Sequence, residues 1–431
     1  MKHTIWYFGL AAQKERYTEQ LSHHWMPDAF DHACKGTDVQ WQSLEPSTVG
    51  LNTSIQNGKV LDDYSRACYS MDQCKMFLDC VEQGLVHDGD AIFLQDYWTP
   101  GIEGVFCVLH QRNIKVRLYA MCHAQTVDEF DFTYPMRDWM RHSELAIKEW
   151  ITKFGGAIFV ASTVHKEQLR SAGFSVPIHV VSLPIDMLHV QKHVARLVTP
   201  TERRGVVFAS RLHSEKQPLY MLSVAREFLQ DNIDETWTIT TSASAKSVAA
   251  GAPSNFLKEL HAMEHDFGDR FRFRVGLSKD EYYTELCGAV CIFNCSLQDY
   301  VSWTLLEGIV CGCAPVYPKV RSFPECLPVK HLYEPYFGAP DDTRERKRVL
   351  CAAFESTRNA VGKLKDQINL FSVSPEVTHT LLRSNAGRLL EAALVVHDLS
   401  HHRDSKEVDI WKLPIAVIEA MNLGYKPKNR K

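Results

Sequence analysis

Short, strongly apolar runs recur along the chain. They alternate with longer stretches in which apolar residues return every three or four positions. The first set of runs is Thr4 to Phe8, Val39 to Leu44, Ala91 to Leu94, Val116 to Met121, Ala157 to Ala161 and Ile178 to Pro184. Their length and bounding residues are those of buried strands. Between them, Met71, Cys74, Phe77, Leu78 and Val81 repeat at helical spacing, and further helices are predicted from near Gln13 and over Val164 to Ala172. Asn52 to Asp63 is polar and turn-rich, a surface excursion. From His189 to Arg204 the pattern becomes polar and irregular, as an interdomain linker does. It restarts at Gly205, with strands at Val206 to Ala209, Trp237 to Thr241, Phe271 to Val275, Val290 to Asn294 and Ala314 to Tyr317. Helices are predicted at Asn255 to His265 and Lys279 to Leu286, from the basic run Arg344 to Arg348, and over Pro375 to His397 and Ile410 to Leu423. Two successive strand–helix alternations predict an α/β chain of two Rossmann-like domains, residues 1–190 and 205–400, followed by a C-terminal helix and basic tail over 401–431.

Composition changes this picture little. The 431 residues are 45% hydrophobic and 23% charged, enough for large buried cores. Formal net charge is -4. Up to Arg196 there are 18 Lys and Arg against 23 Asp and Glu, and beyond it 30 against 29, so neither half is a simple basic DNA-binding module. The 13 cysteines are scattered without zinc-type pairing and read as small core residues in a reducing, cytoplasmic setting. No run approaches the ~18 apolar residues of a membrane span. The start faintly imitates a signal peptide, but its apolar part is short and runs into the charged stretch from Lys14 to Leu21, so a first strand is the better reading.

Chemistry concentrates in a few places. The stretch from Asp299 to Pro324 places carboxylates at Asp299 and Glu307 and a predicted helix start over Ser302 to Thr304. Free N–H groups at a helix start suit a diphosphate, and Glu307 one turn in suits a ribose diol. Thr304 and Glu307 also have the spacing of a capping box. After the strand at Val206 come Arg211 and Lys216, a guanidinium fork and a point charge suited to a phosphate leaving group. The competing reading is a capping box from Ser214 to Gln217, with the lysine in solvent. His123 closes the strand from Val116, at the edge where ligands bind in parallel sheets. Gly9 ends the first strand where a nucleotide-type α/β half begins. Asp88-Gly89-Asp90 is formally a D-x-D metal signature, but it lies before a strand and reads as a turn. From Phe130 to Arg141, aromatic and guanidinium groups interleave, as they do where bases stack and phosphates are held and as they do on ordinary amphipathic helices.

Three of these motifs together resemble family-4-type retaining glycosyltransferases of the GT-B fold. They are the carboxylate pair Asp299 and Glu307, the pair Arg211 and Lys216, and His123. The resemblance spans most of residues 4 to 330 and departs at Asp299, where that family usually has Glu. It implies two Rossmann-like domains facing across a cleft and a nucleotide-sugar co-substrate, a UDP-sugar first, with no metal and no further cofactor. It implies Glu307 on the ribose, Arg211 and Lys216 on the diphosphate, Gly9, Trp303 and Thr304 assisting at the donor, and His123 and Asp299 at the sugar. The stretch from Phe130 to Arg141 further looks like glycosyltransferases of phages that decorate modified DNA bases. That likeness implies double-stranded DNA with 5-hydroxymethylpyrimidines as acceptor, reaction in the host cytoplasm, and Trp98, Tyr134, Arg137, Trp139 and Arg141 as acceptor contacts. The alternatives are a glycan or lipid acceptor of envelope synthesis and a nucleotide-sugar-binding subunit without activity. A sugar-nucleotide epimerase or reductase is disfavoured, because no G-x-G-x-x-G follows the first strand.

Overall fold

The computed structural model describes residues 3–11, 16–35, 37–52, 63–123, 126–131, 133–336 except 182, 184, 186, 199, 201 and 301, and 355–369. They form two compact units that succeed one another in the chain between residues 186 and 187. The basic run at 344–348, the helices predicted at 375–397 and 410–423, the tail, and most of the surface excursion at 52–63 lie outside the described residues.

The first unit is built on six parallel strands. They are β1 (His3–Phe8), β2 (Val39–Ser43), β3 (Ala91–Leu94), β4 (Arg117–Cys122), β5 (Gly156–Val160) and β6 (Ile178–Val180), in the order β2-β1-β3-β4-β5-β6. The second unit repeats the plan with β7 (Val206–Ala209), β8 (Trp237–Thr241), β9 (Phe271–Val275), β10 (Cys291–Phe293), β11 (Ala314–Pro318) and β12 (Leu332–Tyr333), in the order β12-β11-β10-β7-β8-β9. Helices cover both faces, so β3, β7 and β11 are buried along their whole length and read as unbroken apolar runs. In each sheet the strand order reverses beside the first strand, between β1 and β3 and between β7 and β10. Ligands of open α/β sheets bind beyond the carboxyl ends of strands at such reversals.

The two cores close on aromatic side chains. Trp6 meets Phe77 edge-on in the first, and Trp237 meets Phe228 and Phe293 in the second. Residues 355–369 are helical and send Ala360, Val361, Leu364 and Ile368 into the second core. Glycine is required where β5 and β7 begin. A Cβ at Gly156 would stand 1.8 Å from the Leu118 carbonyl oxygen, and one at Gly205 would stand 2.0 Å from that of Thr236. The described cysteines are thiols, most of them buried. Burial pushes the Cys291, Cys295 and Cys313 thiols up, which keeps them unreactive. Among the described residues no helix is long and apolar enough to cross a membrane.

Two expectations need correction, and one competing reading falls away. The stretch read as an irregular linker from His189 opens inside a helix, Met187–Val194, which packs on the helices Lys279–Gly288 and Trp303–Val310 of the second unit. His193 there bonds Asp280 at 2.5 Å and meets the Tyr283 ring edge-on. The run from Ile178 forms a strand only over Ile178–Val180 among the described residues, with the Val181 amide still donating to the Val160 carbonyl at 2.9 Å, and β6 is an edge strand with a single neighbour, β5. Ser214 opens no capping box. Ser214–Lys216 is a 3-10 turn after His213 without a side-chain cap, and Gln217 follows in the left-handed region at φ 47°. The turn reading of Asp88-Gly89-Asp90 stands. Buried Asp90 accepts hydrogen bonds from the Thr4 amide at 2.9 Å, the His87 amide at 3.0 Å and the Trp6 indole at 3.3 Å. Asp88 accepts one from the Lys115 amide at 2.8 Å.

Candidate functional site

The loops that leave β7 and β10 meet at the strand-order reversal of the second sheet. They are tied together below the surface. The Leu297 amide donates to the Glu215 carbonyl at 3.1 Å, the Ser296 amide to Asn294 Oδ1 at 2.7 Å, and Asn294 Nδ2 to Ser210 Oγ at 3.4 Å. This fixes Lys216, from one loop, against Ser296 and Asp299 from the other, with Arg211 beside it on Glu215. The Lys216 ammonium donates to Ser296 Oγ at 3.0 Å and to Asp299 Oδ1. The Arg211 guanidinium sits 2.5 Å from Glu215 Oε1, and Lys216 lies 3.9 Å from the same oxygen.

Glu215 is the centre of this cluster, and it was not singled out from the sequence. Its side chain is 3% exposed. Burial raises its carboxyl, but Arg211 first, then His213 and Lys216, outweigh that and hold it down at about 2. Two neighbouring cations would otherwise repel one another and splay. A buried carboxylate between them keeps both charged and close. The available signal was a carboxylate placed between an Arg and a Lys five apart. Because this carboxyl lies below its ordinary 4.5 in the folded chain, its stabilisation is present above that value and is lost as pH falls towards 2. Glu215→Gln is therefore expected to melt below the parent at neutral pH. The gap should narrow as calorimetric scans are taken downward through about pH 4.

The second part of the site is the helix Trp303–Val310. Its cap is Ser302, whose Oγ accepts from the Leu305 amide at 3.4 Å and pairs with Thr304 Oγ1 at 2.8 Å. The capping box of Thr304 with Glu307 does not form. Glu307 is instead buried, with Lys279 Nζ at 2.5 Å and the hydroxyls of Tyr282 and Tyr283 at 2.9 and 3.0 Å. Those three donors come from the helix Lys279–Gly288, which starts with a complete capping box of Ser278 and Glu281. Both helices end on one residue. Arg203 donates to the carbonyls of Ala289 at 2.6 and 2.9 Å, Leu286 at 3.3 Å and Cys311 at 3.0 Å. Its positive charge lies where two helix dipoles end negative. Trp303 and Thr304 are half-buried at the opposite end.

In the first unit, Gly9, Gln95 and His123 come together where β1, β3 and β4 end. His123 Nε2 lies 2.8 Å from the Gln95 carbonyl. The buried Gln95 side-chain oxygen accepts from the Tyr7 hydroxyl at 2.5 Å and the Leu10 amide at 2.8 Å, holding the loop after Gly9. The Arg66 guanidinium lies 4.9 Å from the Trp98 ring centroid and pairs with Asp96 at 3.0 Å. Arg137 lies over the Tyr134 ring at 4.4 Å and opens the helix Arg137–Phe154, on which Trp139 is 83% exposed. Arg141 turns back into the unit, donating to the Ala172 carbonyl at 3.0 Å beside Glu144 at 3.7 Å. It thereby closes the end of the helix Thr163–Ser171.

No family model matches the chain. Solved structures do. It is similar to trehalose-6-phosphate synthase from E. coli bound with UDP-2-fluoro glucose, at 10% identity and TM-score 0.54, over 92% of this chain and 100% of that one. It is similar to sucrose-phosphate synthase from Thermosynechococcus elongatus, at 12% identity and TM-score 0.50, over 91% and 100%. The pneumococcal O-GlcNAc transferase GtfA aligns at 13% identity and TM-score 0.48, over 81% of this chain, which spans 60% of that protein's length. At these identities the likeness concerns architecture: two six-stranded parallel α/β units in one chain. The chain has the GT-B fold.

Proposed function

We propose that the chain is a retaining glycosyltransferase that moves a sugar from a nucleotide-sugar, a UDP-sugar first, to an acceptor hydroxyl. The observation that carries this reading is the Arg211–Glu215–Lys216–Asp299 cluster at the reversal between β7 and β10. Two cations clamped by a buried carboxylate at a ligand-binding edge suit a diphosphate, whose charge grows as it leaves. The ribose then falls at Glu307, with Trp303 and Thr304 at the helix start towards the phosphates. The bond from sugar C1 to the phosphate oxygen breaks, and the bond from C1 to the acceptor oxygen forms on the same face. The acceptor proton passes to the departing phosphate. Asp299 holds the sugar through a carboxylate already shared with Lys216.

In this reading Arg211 and Lys216 supply the charge that a divalent cation supplies elsewhere. Transfer is therefore expected to continue undiminished in EDTA. Abolition by EDTA with rescue by manganese would remove the two cations from that role.

For the acceptor we propose a 5-hydroxymethylpyrimidine in duplex DNA. The support is local: an exposed Trp139 beside Arg137 and Tyr134, with Trp98 in the same unit. A base inside a duplex must be flipped out to react, and an exposed ring can take its place or stack on it. Arg141, held by Ala172 and Glu144, is the weakest of the five contacts. The test is transfer from a panel of labelled nucleotide-sugars onto duplexes carrying 5-hydroxymethylcytosine or 5-hydroxymethyluracil, beside free saccharides. Transfer to saccharides alone removes the DNA acceptor. Transfer to nothing, with donor still bound, leaves a binding subunit.

A further inference from the structure

Resting on the reading of Glu307 as the ribose contact, we propose that this carboxylate accepts only one sugar hydroxyl. Lys279 is the specificity-determining residue that makes it so, and the donor site then takes nucleoside diphosphates of ribose and of 2′-deoxyribose alike. An ionised carboxylate offers about four lone-pair positions over its two oxygens. Three are taken in Glu307. Lys279 Nζ and the Tyr283 hydroxyl occupy Oε1, and the Tyr282 hydroxyl occupies one side of Oε2. One acceptor position remains, on Oε2. A ribose diol brings two hydroxyl protons and a 2′-deoxyribose one, so the shared 3′-hydroxyl fills the site and the 2′-hydroxyl goes unread.

The count depends on Lys279 staying in place, and three features hold it. Its side chain is 13% exposed. Its ammonium lies 4.8 Å from the centroids of both the Tyr282 and Tyr283 rings, whose faces attract a cation. Its backbone is the first turn of a helix closed by the Ser278–Glu281 capping box. Glu307 has no slack either. It is 3% exposed, and a Cβ at its neighbour Gly308 would lie 2.9 Å from Ile292 Cδ1.

The test is calorimetric titration of the full chain with UDP and with 2′-deoxy-UDP, which share base and phosphates. Their dissociation constants are expected to agree within roughly threefold, where a lost hydrogen bond to a charged group costs roughly tenfold or more. Lys279→Met keeps the apolar stem over the tyrosines and opens a position on Oε1. Its preference for UDP is expected to widen to roughly tenfold or more. Tyr282→Phe, which opens a position on Oε2, is expected to widen it likewise. A general loosening of the site weakens both ligands and leaves their ratio unmoved. A parent chain that prefers UDP by more than roughly tenfold overturns the proposal and leaves the donor reading intact. So does an unchanged ratio in Lys279→Met, whatever Tyr282→Phe shows. If the parent binds neither nucleotide, the proposal falls together with the donor reading.

Discussion

Lys216→Gln is expected to lower sugar transfer by roughly 100- to 1,000-fold, the usual loss when one preorganised charge facing a leaving group is removed. Lys216 is 5% exposed, and its ammonium is fixed by Ser296 and Asp299 from the loop after β10. It needs no reorganisation when a diphosphate arrives. Glutamine keeps most of the stem and a donor but no charge. Uridine, which has no phosphate, should bind the variant as it binds the parent, while UDP should bind more weakly. The substitution also leaves Asp299 without its cation and Glu215 with Arg211 as its nearest one, so some stability is lost. A melting curve taken beside the kinetics separates that loss from the catalytic one. Unchanged UDP affinity and turnover would mean that Lys216 is a structural ion-pair partner, and the donor site would have to be sought elsewhere.

The other large effect concerns folding. Asp90→Ala is expected to destabilise the first unit by about 3–5 kcal/mol. It leaves the amides of Thr4 and His87 and the Trp6 indole without their buried acceptor. For a unit of this size that corresponds to a melting point lower by roughly 10 °C. Asp88→Ala removes only the bond from the Lys115 amide and should cost far less. Added manganese should change neither curve. If Asp90→Ala melted with the parent yet lost a manganese-dependent activity, the D-x-D would be a metal site after all.

The strands could be read from the sequence because most of them are buried on both faces. Ala91–Leu94, Val206–Ala209 and Trp237–Thr241 fall at the expected residues, as does the edge strand Phe271–Val275, of which only Phe271 is buried. The helix Met187–Val194 escaped, since two turns bearing His189, Gln191, Lys192 and His193 around a buried Val190 look like loop until their partner helices are known. Arg211, Lys216 and Asp299 were each visible as a type of residue after a strand. That Lys216 and Asp299 bind one another, 83 positions apart, follows from the adjacency of β7 and β10, and no local pattern encodes it. Glu307 is the sharper case. Its spacing from Thr304 fits a capping box, and Ser302, two positions earlier, is an equally good cap that takes the role instead. The donors that engage Glu307 lie 24 to 28 residues upstream, on another helix.

Arg203 bears on where this chain can be cut. It stands three positions before β7, outside the second sheet, yet it covers the carbonyl ends of the helices Lys279–Gly288 and Trp303–Val310. The helix Met187–Val194, earlier still, lies against the same two helices. A piece beginning at Gly205 keeps all six strands but opens those carbonyls to water and strips the cover from the helices that carry Lys279 and Glu307. A piece beginning at residue 187 keeps both. The smallest separable second half is longer than its sheet by one helix and one arginine, and anyone dissecting the chain by its strands alone would discard what covers the helices bearing Lys279 and Glu307.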